Sequence, residues 1–479
     1  MRATPTLLAA AIYSTVGMAA AQDPLFQAPV DYSAGHGPSL VGVADFDQDG
    51  DNDLVVLAGP TPTCRFTLML NQGDGTFHLT DDYGGCCLAS FFPARLDGDN
   101  YPDLAVTKFT SYMDSCSMAV LTNNGDATFG SPADYITDGH PSYVFAGDVD
   151  GDEDNDLVVS DPQADHVKVL KNNGDGTFSP ATYYAAGYRP RLMVLSDFDS
   201  DGDLDLAVTN RNSDSISIMK NDGDGIFGPA VGYAAADMPG EIRSVDLDGD
   251  GDNDLAVQNS DLTLNDGLDN VSILLNNGDG TFAPTINYSA GHAPSSITTA
   301  DLDGDGDSDL AVTIAAEEGV AILRNNSDGT FASAEVYPTG ELPTSVCAAD
   351  FDGDSDTDLA IANFISHTVS ILLNTTNTPT GIEEGTADHS LPAHPHLFQN
   401  HPNPFNPTTE ISFILPVTAA VRLDIYNVLG RKISTLVDGR LGAGEHTVVW
   451  DAADKASGIY LYRLQTDDAA IMKKMVLVK

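Results

Sequence analysis

The chain has 479 residues, of which 71 are acidic and only 21 basic, giving a net charge of −50. Such a chain cannot neutralise phosphates, so nucleic acid is excluded as a partner and anionic membrane surfaces are disfavoured. Apolar residues make up 42%, ample for a core, so the spacing of the acids decides whether the charge solubilises the chain or binds cations.

The first residues, MRATPTLLAAAIYSTVGMAAAQ, place Arg2 before a short apolar run and then three alanines, Ala19 to Ala21. This order predicts a secretory signal peptide over 1–21, cut before Gln22. No later segment approaches the ~18 consecutive apolar residues of a membrane span, so no transmembrane helix is expected.

An acidic nonapeptide then recurs seven times: DFDQDGDND at Asp45, RLDGDNYPD at Arg95, DVDGDEDND at Asp148, DFDSDGDLD at Asp197, DLDGDGDND at Asp246, DLDGDGDSD at Asp301 and DFDGDSDTD at Asp350. The starts lie 50, 53, 49, 49, 55 and 49 residues apart. Each copy leads into a β-branched stretch such as DLAVTN, a second such as SILLNN, a turn such as NGDGTF, and a segment running from Phe to Tyr. In the first unit the predicted strands are Leu40–Phe46, Leu54–Leu57, Phe66–Leu70 and Phe77–Tyr83. Four antiparallel strands every ~50 residues, with no helical period, predict propeller blades.

One Phe-to-Tyr strand, Phe26–Tyr32, precedes the first acidic loop, and the last unit stops at LLNTT without one. The N-terminal strand is therefore expected to complete the last blade, which removes a sheet edge. The fold class expected is all-β: a seven-bladed β-propeller closed by an N-terminal strand, plus a small C-terminal β-sandwich. The expected division is 22–375 for the propeller, 376–397 for a linker rich in Pro, Thr, Gly and His, and 398–479 for the sandwich.

Alternate carboxylates in D-x-D-x-D-G-x-x-D converge inside a tight loop, and hard anionic oxygens suit Ca²⁺ with its 6–8 flexible ligands. Two carboxylates ~5 Å apart repel by roughly 3 kcal/mol at an effective dielectric of about 20, so three or four need a cation. The loops hold 34 of the 71 acidic residues, so the charge reads as a ligand set. The candidate ligands are Asp45, Asp47, Asp49, Asp51 and Asp53; Asp148, Asp150, Asp152, Asp154 and Asp156; Asp197, Asp199, Asp201, Asp203 and Asp205. They continue as Asp246, Asp248, Asp250, Asp252 and Asp254; Asp301, Asp303, Asp305, Asp307 and Asp309; and Asp350, Asp352, Asp354, Asp356 and Asp358. Loop two carries Arg95 at position 1 and Asn100 at position 6, and is expected to be empty, with Arg95 in a salt bridge where the ion would sit. Glu153 and Ser355 replace the position 6 glycine in loops three and seven. Five or six structural Ca²⁺ ions are expected.

These units resemble FG-GAP or VCBS-type repeats, the family that includes the integrin α-subunit head and some lectin propellers. The resemblance spans about Asp23 to Asn374 and implies calcium held between the first two strands of a blade. Family members adhere, bind glycans or act as lyases, so the fold does not choose among these.

From Phe398 the composition shifts to nine basic residues against eight acidic. The run FQNHPNPFNPTTEISFILP, with IYNVLGRKISTLVDG, GEHTVVWDA, SGIYLYRL and KKMVLVK, resembles the type A sorting domain of the type IX (Por) secretion system. The resemblance implies contact with that machinery, passage across the outer membrane, and an extracellular or surface-attached product.

Cys64, Cys86, Cys87 and Cys116 are expected to form two disulfides, whereas Cys347 reads as a buried free thiol. No G-x-S-x-G, H-E-x-x-H or phosphate-binding loop occurs. The connections between blades carry His36, His140, Tyr188, Arg189 and His292, the candidates for contact with a sugar or peptide, and LTLNDGLDN at Leu262 is an inserted hairpin. The reading favoured is a surface binding or adhesion module for a glycan or extracellular protein. A propeller-type polysaccharide lyase or glycosidase, and a structural surface protein, are the alternatives.

Overall fold

Each repeat turns a β-branched run into a strand because Gly-containing turns flank it and both faces of the run are covered. In the computed structural model described here, residues 24–376 and 396–477 are placed, apart from 60–64, 81–82, 85–86, 110–115, 136–138, 261–269, 398–406, 416, 428–430, 453–454, 456 and 467–469. The expected signal peptide, most of the linker, the insertion after Asp261 and the side chains behind the four-cysteine pairing lie outside the described residues.

Strands 40–372, with the N-terminal Val30–Ser33, form seven antiparallel sheets. The first holds Leu40–Ala44, Asp53–Ala58, Arg65–Asn71 and Phe77–Leu79 in order. Its fourth element is shorter than expected: Tyr83–Gly84 pairs separately with Arg65–Phe66 on the third strand. Val30–Ser33 pairs antiparallel with Thr368–Leu372, so the chain start joins the sheet of the last repeat. The innermost strands touch in cyclic order, from Leu40–Ala44 through Cys87–Ala94, Val144–Gly147, Pro190–Ser196, Pro239–Val245 and Pro294–Ala300 to Pro343–Ala349, which meets Leu40–Ala44 again.

Second strands such as Asp205–Asn210 and Asp254–Asn259 are buried along their whole length. Their alternate residues face the blades on either side, so continuous apolar runs replace the usual polar alternation. Val55, Leu57 and Phe66 of one sheet share a cluster with Leu104, Val106 and Ala119 of the next.

Two polar or aromatic devices repeat around the ring. Edge-on pairs join the Tyr of one outer strand to the Phe of the following blade: Tyr32–Phe77, Tyr83–Phe129, Tyr135–Phe178, Tyr184–Phe227, Tyr233–Phe282, Tyr288–Phe331 and Tyr337–Phe26. Their centroids lie 5.2–5.6 Å apart, a favoured separation for T-shaped rings. The Phe-to-Tyr segment of each repeat is thus a clasp between neighbours. The second device is the first Asn of each N-x-G-D-G-type turn. Asn276 Nδ2 donates to Phe198 O in the preceding blade at 2.8 Å and to Asn253 O at 3.1 Å, while its Oδ1 accepts from Gly278 N. Asn71, Asn123, Asn172, Asn221, Asn325 and Asn374 likewise reach Phe351 O, Phe46 O, Leu96 O, Val149 O, Leu247 O and Leu302 O.

The C-terminal domain packs two sheets face to face. His396–Leu397, Thr408–Leu415 and Gly444–Asp451 form one, and Lys432–Leu441, Ala419–Asn427, Gly458–Gln465 and Ala470–Leu477 the other. Ile411, Phe413, Leu423, Ile425, Trp450 and Tyr462 fill the space between them. Pairing begins at His396, two residues before the change in composition at Phe398.

Asn276→Ala removes three hydrogen bonds to backbone groups, one buried and two half-buried, each worth about 1 kcal/mol, and is expected to lower stability by roughly 2–3 kcal/mol. Asn277→Ala, at the exposed neighbour, is expected to change it by less than about 0.5 kcal/mol. Urea unfolding of both at fixed calcium checks this.

Candidate metal centres and the opposite face

The acidic loops are pre-folded by their own carboxylates. At position 1, Asp246 accepts from Gly249 N at 2.8 Å and Gly251 N at 3.0 Å. At position 3, Asp47 accepts from Asp49 N, and at position 5 Asp49 accepts from Asp51 N. Position 6 needs positive φ, which Gly50, Gly202, Gly251 and Gly306 supply at 95–97°. Glu153 and Ser355 hold the same region at 73° and 75°, and their N–H groups still donate to Asp148 and Asp350. These two loops therefore keep the turn, at the steric cost of a side chain in the left-handed region.

Position 9 is fully buried in every loop: Asp53, Asp103, Asp156, Asp205, Asp254, Asp309 and Asp358. One oxygen accepts from the position 2 N–H, as Asp205 does from Phe198 at 3.1 Å, and the other accepts from the turn Asn, as from Asn221 at 2.8 Å. Burial pushes the carboxyls of Asp205, Asp254 and Asp309 up to about 6, Asp53 to about 7 and Asp358 to about 8, with the backbone donors opposing.

Positions 1, 3 and 9 converge. Ligand-capable oxygens of Asp45, Asp47 and Asp53 lie within 4.8 Å of one another, as do those of Asp148, Asp150 and Asp156, of Asp197, Asp199 and Asp205, and of Asp301, Asp303 and Asp309. In the loop at Asp246 the close set is Asp246, Asp248 and Asp250. Asp45 Oδ1, Asp150 Oδ1, Asp199 Oδ1, Asp303 Oδ1 and Asp354 Oδ2 are buried and accept no hydrogen bond. A buried carboxylate oxygen without a donor is costly, and a hard cation at the centre of the cluster would supply the missing partner. The donor set fits Ca²⁺.

The position 7 carboxylates fall outside these sets: Asp51, Asp154, Asp203 and Asp252 lie against Gly73, Gly174, Gly223 and Gly278 of the following turn, where a Cβ would collide with them. Loop two differs as well. Asp97, Asp99 and Asp103 keep their backbone bonds, but Arg95 is exposed and forms no ion pair among the described residues. The bridge expected of Arg95 is not made, because its side chain points to water. Outside the ring, Lys474 of the C-terminal domain donates to Asp49 O at 3.1 Å.

The candidate contact residues occupy the other face, where second strands end and the connections between blades arrive. His36 stacks on His367 with centroids 4.2 Å apart. His140 N donates to Asp161, itself fully buried with Lys168. His292 N donates to Glu317. Tyr188 is 56% exposed, and Arg189 lines a cleft of about 460 Å³ with Tyr143, Arg191 and Arg211. The five candidates are spread over four blades and do not form one site. His367, Tyr143, Arg191 and Arg211 escaped the sequence reading, because only the stacking of neighbouring blades brings them to these positions. Cys347, on the innermost strand Pro343–Ala349, is a free thiol pushed up to about 12 by burial, which makes it unreactive.

Comparison with known proteins follows this geometry. FG-GAP-like repeats match residues 45–106, 95–159, 197–257, 258–312 and 301–361, more than half of the chain. The chain belongs to the FG-GAP-like repeat family. Residues 400–479 match the secretion system C-terminal sorting domain, which directs type IX export to the cell surface or beyond. No curated protein matches the chain. Among solved structures, BBS1N in complex with ARL6DN is similar over 75% of this chain and 99% of that one, at 14% identity and a TM-score of 0.50. The periplasmic gluconolactonase PpgL of Pseudomonas aeruginosa is similar over 68% and 88%, at 14% identity and a TM-score of 0.49. At such identity the first likeness speaks to fold alone.

Chelation is expected to lower the melting temperature sharply, since each site contributes about 2.7 kcal/mol when calcium is a hundredfold above its Kd. Calcium re-addition restores the melt, and anomalous scattering is expected at the clusters but not beside Arg95. An unchanged melt in excess chelator rules this out.

The pH response follows from the raised position 9 carboxyls. Folded-state values above the unfolded one mean that the metal-free protein holds these protons more tightly, so the contribution of these carboxyls to stability is fully present below about pH 4 and is lost as pH rises through 6 to 8. Calcium needs the deprotonated form, so its affinity is expected to fall at least about tenfold from pH 7.5 to 5.5. Melting curves in chelator and calcium titrations at both pH values check the two opposite slopes.

Proposed function

We propose that the chain is an exported, calcium-stabilised binding module that recognises glycans or other extracellular polymers through the face opposite its acidic loops. In this reading residues 1–21 are the signal peptide, 22–375 the propeller, 376–397 a linker and 398–479 the sorting domain. The observation that carries it is the division of labour between the two faces. One face is a repeated set of carboxylates and backbone donors, committed to holding cations and joining blades. The other collects the irregular connections, where histidines, arginines and exposed tyrosines interrupt the repeat.

Irregular loops on a rigid scaffold are where binding residues usually sit, and a sugar ring needs an aromatic face with a few fixed donors. Calcium is the scaffold here and does not touch the ligand. A glycan and matrix-protein array run with and without calcium, beside a polysaccharide-cleavage screen, tests the reading. Binding that needs folded, calcium-loaded protein and yields no product is the expected result. Reproducible product formation overturns it in favour of an enzyme.

A further inference from the structure

The fourth blade breaks the repeat at three positions on this face, always with arginine. The residue before the proline of the first strand is Gly37, His140, Met238, Ala293 or Leu342 elsewhere, but Arg189 here. The residue after that proline is Ser39, Ser142, Gly240, Ser295 or Thr344 elsewhere, and Ser295 and Thr344 use their hydroxyls to bond the next blade. Here it is Arg191. The residue after the second strand of the fourth blade, Asp205–Asn210, is Arg211, where the third and seventh blades have Pro162 and Phe364.

These three converge on one cleft of about 460 Å³, walled also by Tyr143, Pro162 and Met238. Arg191 lies where the pairing of Pro190–Ser196 slips between Pro190 and Met193, and a bulge of this kind re-aims a side chain. Its Nε and one terminal nitrogen donate to Tyr143 Oη at 3.2 and 3.1 Å, with the guanidinium carbon 5.6 Å from the ring centroid. Arg211 N donates to Arg189 O at 3.2 Å, tying the two loops together. Asp165 and Asp214, on the turns beside the cleft, accept instead from the backbone N–H of Arg189 and Met238.

Among the described residues, no carboxylate oxygen lies within 4 Å of the guanidinium nitrogens of Arg189, Arg191 or Arg211, in a chain with 71 acidic side chains and 21 basic ones. Half-buried Arg211 feels burial first and then the like charges of Arg191 and Arg189, all of which press its pKa down. Three cations held together without a counter-charge await one from outside.

We infer that this cleft binds an anionic polysaccharide, whose carboxylate or sulfate groups meet the arginine forks while a sugar ring lies against Tyr143 or the exposed Tyr188. The inference rests on the binding-module reading and specifies its ligand class. A guanidinium takes an oxyanion bidentately, and its remaining N–H groups here are directed by the Tyr143 hydroxyl bond. A ligand of sparse charge suits the site better than a densely charged one, because the rest of the surface is strongly negative.

The test titrates the calcium-loaded protein, calcium held in excess, with sparsely charged glycans (a largely methyl-esterified polygalacturonate and a lightly sulfated dextran sulfate) and with neutral dextran and polyglutamate at low salt. Arg191→Gln and Arg211→Gln are compared with the unaltered chain, and Arg191→Lys retains the charge without the fork. Binding of polygalacturonate or dextran sulfate is expected, which of the two identifying the oxyanion, with neutral dextran unbound. Each glutamine variant is expected to weaken it about tenfold or more, the loss of one charged hydrogen bond, with melting temperature within about 2 °C of the parent. The lysine variant is expected to fall in between. Polyanion binding unaffected by both glutamine variants, or binding of polyglutamate alone, overturns the inference. A neutral glycan bound equally by parent and variants leaves the binding-module reading standing and this inference fallen. Cleavage of polygalacturonate that needs Arg191 does the reverse.

Discussion

The structure depends on a buried aspartate that closes each acidic loop. Asp205 shows the arrangement: one oxygen fixes the start of its own loop at Phe198, and the other receives the N–H of Asn221 from the turn after the third strand. Asn221 then reaches across to Val149 O in the blade before. One carboxylate thus orders its loop, and through the asparagine the loop is tied to the adjacent sheet. The same group sits within reach of Asp197 and Asp199, so the residue that organises the backbone also creates the electrostatic problem. Apolar packing between blades cannot solve that problem, because the repulsion is local to each loop. A cation could, and it would act where the blades are joined.

This coupling explains why the repeats tolerate change in some places and not others. Glu153 and Ser355 adopt the backbone turn that glycine would otherwise supply, and the carboxylate at position 1 still receives its N–H donors. Replacing position 1 itself is different. Arg95 cannot accept those donors, yet Asp103 and Asn123 keep the bonds that link the second blade to Phe46. A loop without the position 1 carboxylate therefore still serves as a joint between blades.

Much of this was legible in the chain. The acidic nonapeptide, the strands after it and the displaced N-terminal strand followed from spacing, because each repeat carries the same turn glycines and β-branched runs. The sorting domain followed from its own motif. The roles of Asn276 and of the Tyr233–Phe282 pair did not, although both residue types recur in every unit. Their partners lie in another blade, and a linear repeat does not reveal which neighbour a side chain faces. The clustering of Tyr143 with Arg191 and Arg211 was hidden for the same reason: 48 residues separate Tyr143 from Arg191 in the chain, and the stacking of the two blades brings hydroxyl and guanidinium together.

The two faces also differ in how charge is handled, and that difference bears on recognition. On the acidic face like charges are crowded where a small cation can enter, and oxygens such as Asp150 Oδ1 and Asp303 Oδ1 have no donor of their own. On the opposite face three arginines are crowded around a cleft too wide for a single ion to fill. The net charge of −50 repels any polyanion at long range, but at physiological ionic strength that field decays over about 8 Å. Within that distance the local arginines outweigh the distant aspartates. Affinity for an anion at such a site would therefore be set by short-range fork geometry and ring contact, while the surrounding charge would select against ligands of high charge density.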